Sequence, residues 1–236
     1  MADAPLTQTE LDALRALDTP TVCNALELVA PARRAIGFTV QPLVCAYPDL
    51  PPIVGYACTA TIRSTRPADL SPEEARKKRI AYYEHVAAGP GPRIVVIEDV
   101  DTAGIGFGAF WGEVQTTVHK GLGCIGCITN GSVRDIPQAA PGFQMIAGSI
   151  APSHAWVHLV EIGGAVNVHG MTVKPGDLVH ADRHGAVVIP HDVARKVPEA
   201  AGLCMRRESV ILEAARKPGF NVDILRKALA SADEIH

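Results

Sequence analysis

The chain has few aromatic residues, no long apolar run and no excess of charge of one sign. Aromatic side chains make up 5% of its 236 residues, and the formal net charge is −3 at pH 7. The charges are scattered, without the basic stripe that nucleic acid or an anionic membrane would attract, so we expect neither partner. One short basic run, residues 76–79, follows two glutamates on a predicted helix, and we interpret it as a solvated face.

Membrane, secretory and disulfide signals are also missing. No segment approaches the roughly 18 uninterrupted apolar residues of a membrane span, and the N-terminus lacks the apolar core of a signal peptide. The six cysteines show no disulfide-framework spacing. Cys124 and Cys127 form a C-x-x-C pattern within an apolar run, where we interpret them as buried small residues, since no second pair completes a zinc site. We therefore expect a cytoplasmic protein in a reducing compartment.

Helix signals occur near both ends of the chain and between its apolar runs. Thr19 and Ser71 each precede a proline at the start of a helical pattern, and Ser71 has Glu74 at the capping-box spacing. The helix after Ser71 should end near Ala88, where glycine and proline alternate. Further helices are predicted at about residues 111–120, 191–216 and 222–230.

Short apolar runs in the centre of the chain predict buried strands. Residues 94–97, 125–128 and 143–146 have the composition of strands covered on both faces. We interpret them as β-α-β-α-β with parallel strands, the second connection being a turn at Asn130-Gly131 and a short helix from about Val133. A strand at residues 57–63 precedes these runs, and two hairpins follow at residues 165–173 and 178–189. We expect an α/β fold whose mixed sheet is parallel in its first half and antiparallel in its second, with helices outside.

Two loops follow these parallel strands, and ligands of open α/β sheets lie beyond the carboxyl ends of such strands. The first loop contains Gly112, Glu113 and Val114, and the second contains Arg134 and Asp135. Both lead into predicted helix starts, whose free amides and positive dipole end favour anions. A carboxylate-bearing substrate can therefore bind to the amides near Gly112, Glu113 and Val114.

Arg134 and Asp135 place a permanent cation beside a hard oxygen ligand. The planar guanidinium suits a carboxylate or enolate oxygen. The carboxylate suits Mg²⁺ or Mn²⁺, and Mg²⁺ commonly takes one or two protein carboxylates and keeps several waters, one of which Glu113 can hold. The alternative is a helix cap beside a surface ion pair, and the residues alone leave it open.

His180, Asp182 and His184 alternate, so a strand would place them on one face. There they could imitate a second metal site, which imidazole ligands would make more suitable for zinc than for magnesium. The segment 182–185 also has the composition of a hairpin turn, which is the interpretation we favour.

Several of these motifs, in this order, resemble those of a known family. The matching motifs are residues 112–114 (GEV), 123–126 (G-x-x-G), 130–135 (NGSVRD), 173–178 (VKPGDL) and 181–190 (AD-x-x-GAVVIP). The family that they resemble contains 4-hydroxy-4-methyl-2-oxoglutarate / 4-carboxy-4-hydroxy-2-oxoadipate aldolase and the regulator of ribonuclease activity A. The resemblance covers about residues 19–190.

This resemblance implies a fold and an activity. The fold would be a swivelling β/β/α-type single domain over residues 1–236, with a core at about 19–190 and helical extensions at both ends. The chain would form trimers or hexamers with active sites between subunits. For the aldolase branch it implies divalent-metal-dependent cleavage of 4-hydroxy-2-oxo acids to pyruvate, often with decarboxylation of oxaloacetate.

The aldolase branch also implies roles for individual residues. An acidic residue upstream of the Arg-Asp pair assists the metal, and Glu113 is the match. Arg134 would polarise the pyruvyl oxygen, and Asp135 would bind the metal. An acid on a late helix of the neighbouring subunit supports the metal's water ligand, and Glu208 is the nearest candidate.

The chain departs from the aldolase pattern at several positions. Gln138 stands three residues after Asp135, where the pattern has Glu or Asp. Glutamine can hydrogen-bond a water but carries no charge, and loss of such a supporting partner typically costs about 10–100-fold in metal affinity or activity. Asn130 stands where the family frequently has Asp, and the histidines lie outside the pattern; they are His154, His158, His169, His180 and His184. The identity of the oxo acid stays open.

Three functions are compatible with these observations. The first is a metal-dependent lyase, because Lewis-acid polarisation and a fixed cation suffice for retro-aldol cleavage or β-decarboxylation through pyruvate enolate. The second is a non-catalytic regulator that binds a ribonuclease and needs no intact Arg134-Asp135 pair. The third is a divergent metal-dependent enzyme for another oxo acid, marked by Gln138. The intact pair and its Gly112-Glu113 loop favour the enzyme.

Overall fold

A computed structural model describes residues 4–236 of the chain. Its α-helices are α1 (Gln8–Arg15), α2 (Thr19–Val29), α3 (Pro72–Ala88), α4 (Glu113–Gly121), α5 (Val197–Ala215) and α6 (Val222–Asp233). Its strands are β1 (Val44–Cys45), β2 (Ile53–Arg63), β3 (Arg93–Asp99), β4 (Cys124–Val133), β5 (Gln144–Ile150), β6 (His158–Ile162), β7 (Val166–Val168), β8 (Met171–Val173), β9 (Leu178–Asp182) and β10 (Gly185–Ile189). Short 3-10 helices occur at Pro31–Arg33, Ile136–Gln138 and Ala194–Lys196.

One mixed sheet contains eight of these strands. Its order is β1-β5-β4-β3-β2-β9-β10, with β6 also paired to β2, while β7 and β8 form a separate ribbon. The pairs β2–β3, β3–β4 and β4–β5 are parallel. The pairs β2–β9 and β9–β10 are antiparallel, which confirms the mixed sheet predicted from the sequence.

Apolar residues cover both faces of the parallel strands, as the run at residues 94–97 predicts. Val95 and Ile97 of β3 pack in a cluster with residues of α3 and with Trp111. The alternate residues Ile94 and Val96 pack in a second cluster with β7, β8, β9 and β10. All four side chains are fully buried, because successive residues of a strand point to opposite faces and both faces are covered here. A third cluster joins α1, α2 and α5 to the antiparallel end of the sheet.

The predicted connection between β4 and β5 is wrong. The strand β4 continues through Asn130-Gly131 to Val133, and a register shift between Thr129 and Ser132 takes up the Asn-Gly pair within the ladder. Only the 3-10 turn Ile136–Gln138 follows, in place of a helix. Asn130 is kept extended because its side chain bonds both backbone groups of Asp99 on β3, so the turn signal is overridden by pairing.

Two helix starts also differ from the prediction. The helix α4 begins at Glu113 because Trp111 forms a parallel bridge with Val133 of β4. The late helix begins at Val197, after the 3-10 turn Ala194–Lys196. Within the described residues no helix is long and apolar enough to span a bilayer.

Candidate active site

The end of β4 and the segment before α4 meet at the carboxyl edge of the parallel strands. The backbone N–H of Arg134 donates to the carbonyl of Trp111 at 2.9 Å, which continues the bridge between Trp111 and Val133. The structure therefore brings together the two segments that the sequence analysis singled out. Gly112 and Glu113 lie beside Arg134 and Asp135 because a single backbone pairing aligns both loops.

Asp135 is held in the left-handed region of backbone conformation, with φ 53° and ψ 37°. Few residues other than glycine adopt this region, although aspartate does so more often than most, and such strain clusters at functional sites. One carboxylate oxygen, Oδ2, accepts the N–H of Glu113 at 3.3 Å. That N–H belongs to the first turn of α4, so the carboxylate lies at the positive end of the helix dipole.

Position 112 requires glycine because Asp135 and Arg134 lie very close to its backbone. A Cβ at this position would lie 2.6 Å from Oδ2 of Asp135 and 3.2 Å from Cγ of Arg134. The backbone of Gly112 is extended, so its conformation alone would admit any residue. The missing side chain lets the loop before α4 contact the Arg-Asp pair directly.

The Arg134 and Asp135 side chains keep most of their bonding capacity. Nη1 of Arg134 lies 3.7 Å from Oδ1 of Asp135, and the two side chains are 35% and 34% exposed. No other hydrogen bond or ion pair of the Arg134 guanidinium occurs among residues 4–236. Arg134 lines a cavity of about 290 Å³, together with Gly112, Val114 and Gln115 at the start of α4. The guanidinium and the carboxylate are thus both available to a small ligand.

An aromatic cluster beneath the site fixes the start of α4. Trp111 is fully buried, and its ring centroid lies 4.6 Å from that of His119. His119 Nδ1 lies 2.6 Å from the Gln115 carbonyl, so this nitrogen carries the proton and donates it. Nε2 then accepts from the Tyr82 hydroxyl at 2.7 Å. Burial lowers the pKa of His119 to about 4, so the ring is neutral near neutral pH.

Neither His119 nor Tyr82 is recognisable from the sequence as a support of the site. Tyr82 is on α3 and His119 is on α4, 37 residues apart. The signal in the sequence is a polar ring on the otherwise apolar face of each helix, but their pairing depends on how α3 and α4 pack. It became visible only from the three-dimensional arrangement.

Two predicted supporting residues are placed differently from the pair. Gln138 is exposed at the end of the 3-10 turn, where its backbone N–H donates to the carbonyl of Asp135 at 3.0 Å. Glu208 lies on α5, and its carboxylate accepts from Asn24 of α2 at 3.3 Å. In the described part of this chain, no hydrogen bond or ion pair links Glu208 to Arg134 or Asp135.

The alternating residues of the β9–β10 hairpin do not form a metal site. His180 is fully buried, with Nδ1 3.0 Å from the Thr19 hydroxyl and Nε2 3.0 Å from the Leu17 carbonyl. Asp182 accepts the backbone N–H groups of Thr19 and His184. These side chains fasten the ends of α1 and α2 to the sheet, and the hairpin-turn interpretation of residues 182–185 is confirmed.

No group of three or more histidine, cysteine, aspartate or glutamate residues is arranged to hold a metal within residues 4–236. Cys124 and Cys127 are both buried in β4, and burial raises the pKa of both thiols, that of Cys124 to about 12. This confirms their interpretation as buried small residues.

Asp135 nevertheless fits a hydrated hard cation. Its carboxylate is partly exposed and has one long hydrogen bond and one long ion pair, so lone pairs on both oxygens remain free. Glu113, whose backbone N–H donates to Asp135, is exposed, and its carboxylate has no hydrogen-bond partner among the described residues. Since Mg²⁺ commonly binds proteins through only one or two carboxylates and keeps several waters, this oxygen-only set suits Mg²⁺ or Mn²⁺.

Comparison with known proteins gives one matching family model and several similar proteins. Residues 19–188 match the family model described as RraA-like, Aldolase/RraA. A Halalkalibacterium halodurans protein named "Putative 4-hydroxy-4-methyl-2-oxoglutarate aldolase" is 27% identical over 152 residues, covering 61% of this chain and 70% of that protein. An uncharacterized protein of Methanocaldococcus jannaschii, MJ0644, is 33% identical over 107 residues, covering 44% of this chain. The match spans about half of that relative's length (51%).

Solved structures share the fold. An uncharacterized protein from Pseudomonas syringae pv. tomato has a TM-score of 0.71 at 23% identity, covering 97% of this chain and 96% of its own. Streptomyces coelicolor RraAS2, described as an unusual member of the RNase ES inhibitor RraA protein family, has a TM-score of 0.67 at 20% identity. That likeness covers 88% of this chain and 97% of RraAS2. At these identities the two structures establish the mixed α/β architecture alone.

Proposed function

Because the chain belongs to the Aldolase/RraA family, we propose that it is a divalent-metal-dependent lyase that releases pyruvate from a 4-hydroxy-2-oxo acid, from oxaloacetate or from both. One observation carries the proposal: Arg134 and Asp135 adjoin the start of α4 with their polar atoms largely unengaged. The relative named as a 4-hydroxy-4-methyl-2-oxoglutarate aldolase supports the same reaction class.

The residues of this chain divide the work of binding the 2-oxo acid. The first-turn amides of α4, after Gly112, bind the substrate carboxylate at the positive end of the helix. The Arg134 guanidinium binds the keto oxygen and stabilises the negative charge that develops there as the enolate forms. The backbone bond between Arg134 and Trp111 fixes the main chain from which the guanidinium extends beside the start of α4.

Asp135 would hold the Mg²⁺ or Mn²⁺, which when bound supplies Lewis-acid polarisation of the 2-oxo acid. Glu113 is exposed and its backbone contacts Asp135, and its carboxylate is the group that takes the proton from the C4 hydroxyl in a retro-aldol cleavage. Decarboxylation of oxaloacetate needs no such base, because carbon dioxide leaves directly. In both reactions the enolate then takes up a proton at C3 to give pyruvate, from Glu113 after retro-aldol cleavage and from water after decarboxylation. Gln138 can support a water by hydrogen bonding but cannot accept its proton.

We further propose that the active sites lie between subunits of a homotrimer or homohexamer. Large apolar side chains around the site are exposed in the single chain, among them Phe107, Val114, Ile150 and Trp156. Such a concentration of exposed apolar residues is typical of a protein interface. A neighbouring subunit would then supply a further carboxylate to the site, and Glu208 is the candidate.

A regulatory function of the kind that RraAS2 is named for has weaker support. The likeness to RraAS2 establishes only the fold, and binding of a ribonuclease by surface contacts would not require the cavity beside Arg134. A divergent reaction on another oxo acid remains the alternative that Gln138 favours.

The proposal is tested by following pyruvate release from oxaloacetate and from a 4-hydroxy-2-oxo acid, with Mg²⁺ or Mn²⁺ and then with excess chelator. We expect release that depends on the metal. Release that persists in chelator would contradict the mechanism, and an absence of release combined with inhibition of a ribonuclease would favour the regulator.

A further inference from the structure

The basic run at residues 76–79 is mostly solvated, since Arg76, Lys77 and Arg79 are exposed and Lys78 is half-buried, but its members do not all face the same surroundings. Lys77 points to solvent, is 74% exposed and pairs with Glu73 at 2.9 Å. Lys78 and Arg79 instead line the cavity that contains Arg134. They share the inner face of α3 with Ala75 and Tyr82, at the i, i+3, i+4, i+7 spacing of a helix face that packs inward.

The charged residues that line the cavity are all basic. Lys78, Arg79 and Arg134 contribute three permanent positive charges, and His154 and His158 add two imidazoles. The residues that line the cavity include no aspartate or glutamate. Among the ion pairs of the described residues, none involves Lys78 or Arg79. Of these three cations only Arg134 lies near a carboxylate, that of Asp135 at 3.7 Å, so Lys78 and Arg79 create a positive potential in the cavity that attracts an anion.

The two histidines are oriented by backbone carbonyls. His154 Nδ1 lies 2.9 Å from the Ala155 carbonyl, and His158 Nδ1 lies 2.7 Å from the Trp156 carbonyl. Since a carbonyl only accepts, each Nδ1 carries a hydrogen, and each Nε2 has no hydrogen-bond partner in the described part of the chain. Both rings therefore keep a nitrogen available to a ligand.

We propose that Lys78 and Arg79 form a second anion-binding site, which takes the end of the oxo acid remote from its pyruvyl part. The group bound there is a carboxylate or a phosphate, because both present the oxygens that lysine and arginine bind. This rests on the proposed function, in which Arg134 binds the pyruvyl end. A cavity of about 290 Å³ is at the small end of ligand sites, which suits a short acyclic diacid rather than a large metabolite.

The test compares ligands by isothermal titration calorimetry in the presence of Mg²⁺. The probes are pyruvate, 2-oxoglutarate and inorganic phosphate. The variant is Lys78→Gln with Arg79→Gln, and the matched control is Lys77→Gln, which removes a charge from the same run on the solvent side of α3. Binding is measured directly, so the result does not depend on turnover.

We expect 2-oxoglutarate to bind the unmodified protein more tightly than pyruvate does. The double variant should weaken the binding of 2-oxoglutarate by about 10-fold or more, which is the usual effect of losing a charge-assisted hydrogen bond. It should change the affinity for pyruvate by no more than about twofold, because in this proposal the pyruvyl end does not reach α3. Unchanged pyruvate binding also shows that the variant is folded. Lys77→Gln should change neither affinity.

The outcomes separate this inference from the function on which it rests. If both oxo acids bind but the double variant weakens neither, the second anion site is wrong and the proposed function stands. If neither oxo acid binds while phosphate binds and is lost in the double variant, the anion site stands and the pyruvate-lyase proposal fails. Stronger loss for phosphate than for 2-oxoglutarate would identify phosphate as the group. Equal weakening by Lys77→Gln would overturn the site, since a general charge effect would then suffice.

Discussion

Two regions of the molecule carry acidic and basic residues at the end of a strand, and they differ in how far their polar atoms are used. At the β9–β10 hairpin, His180 and Asp182 bond the backbone of α1, α2 and the turn. At the end of β4, Arg134 and Asp135 have only long contacts with each other and with Glu113 N–H. Residue types alone do not separate a site from a structural clamp, whereas unused bonding capacity beside a cavity does.

The largest difference between the two regions is expected when the Arg134 cation is removed. Replacing Arg134 with Gln should lower kcat for pyruvate release by roughly 10²–10³-fold, the usual result of removing a group that stabilises an oxyanion. Arg134→Lys should recover part of the loss, since it keeps the charge but not the planar donors. Steady-state kinetics with oxaloacetate measures both. Activity of the Gln variant close to that of the unmodified protein would place the chemistry elsewhere.

Buried neutral histidines make both regions sensitive to acid. The pKa of His119 is lowered to about 4 by burial, and burial also lowers the pKa of His180. Between pH 6.5 and 4 the unfolded chain binds a proton at position 119 that the folded chain does not, so stability decreases as pH decreases. The loss from His119 should be roughly 3 kcal/mol across this window.

Urea unfolding at several pH values measures this loss. In His119→Phe, which keeps an aromatic ring beside Trp111, the free energy of unfolding should depend less steeply on pH below 6.5. An unchanged slope would show that His119 is not the titrating group.

Replacing Asp182 tests whether the β9–β10 hairpin has a purely structural role. Asp182→Ala leaves the N–H groups of Thr19 and His184 without their acceptor at a position that is 7% exposed. Stability should fall by about 2–3 kcal/mol, since a buried donor left unpaired costs about 1–3 kcal/mol. The activity per folded molecule should hardly change. Loss of activity without loss of stability would mean that this hairpin takes part in the reaction.

A smaller effect is expected at Gly112. The methyl group of Gly112→Ala would lie 2.6 Å from Oδ2 of Asp135 and must displace that carboxylate. A displacement of this kind should lower kcat by about 10–100-fold, with little change in stability. Gly121→Ala at the other end of α4 is the control, because its Cβ would meet nothing within 4 Å. Equal effects of the two substitutions would show that the close approach at Gly112 is unimportant.

The sequence predicted those features that depend on local patterns. The apolar run at residues 94–97 identified a strand covered on both faces. The Arg134-Asp135 pair was expected beyond a parallel strand and lies there, although β4 extends to Val133 and no helix follows it. The Asn130-Gly131 turn was wrong because the side chain of Asn130 bonds β3, a contact 31 residues away. The local preference of Asn-Gly for a turn is overridden when pairing with a distant strand satisfies the same hydrogen-bonding groups.

The charged residues show the same limit. The basic run was interpreted as one solvated face, yet Lys77 and Lys78 differ in surroundings because α3 turns one of them toward the cavity. The spacing along α3 contained this information, but only the position of the cavity shows which face packs inward. His119 and Tyr82 could not be paired from the sequence, since no local rule relates two helices that distant in the chain.

The most direct test of the account compares Asp135→Asn with Asp182→Asn for Mg²⁺-dependent pyruvate release from oxaloacetate or a 4-hydroxy-2-oxo acid. Asparagine tolerates the left-handed conformation of Asp135, so that variant should stay folded. We predict that Asp135→Asn lowers the activity by more than the roughly 100-fold that is typical when a residue supporting a metal ligand is replaced. Asp182→Asn should keep nearly full activity but melt at a lower temperature. Full activity in Asp135→Asn, or its loss in a stable Asp182→Asn protein, would contradict the account.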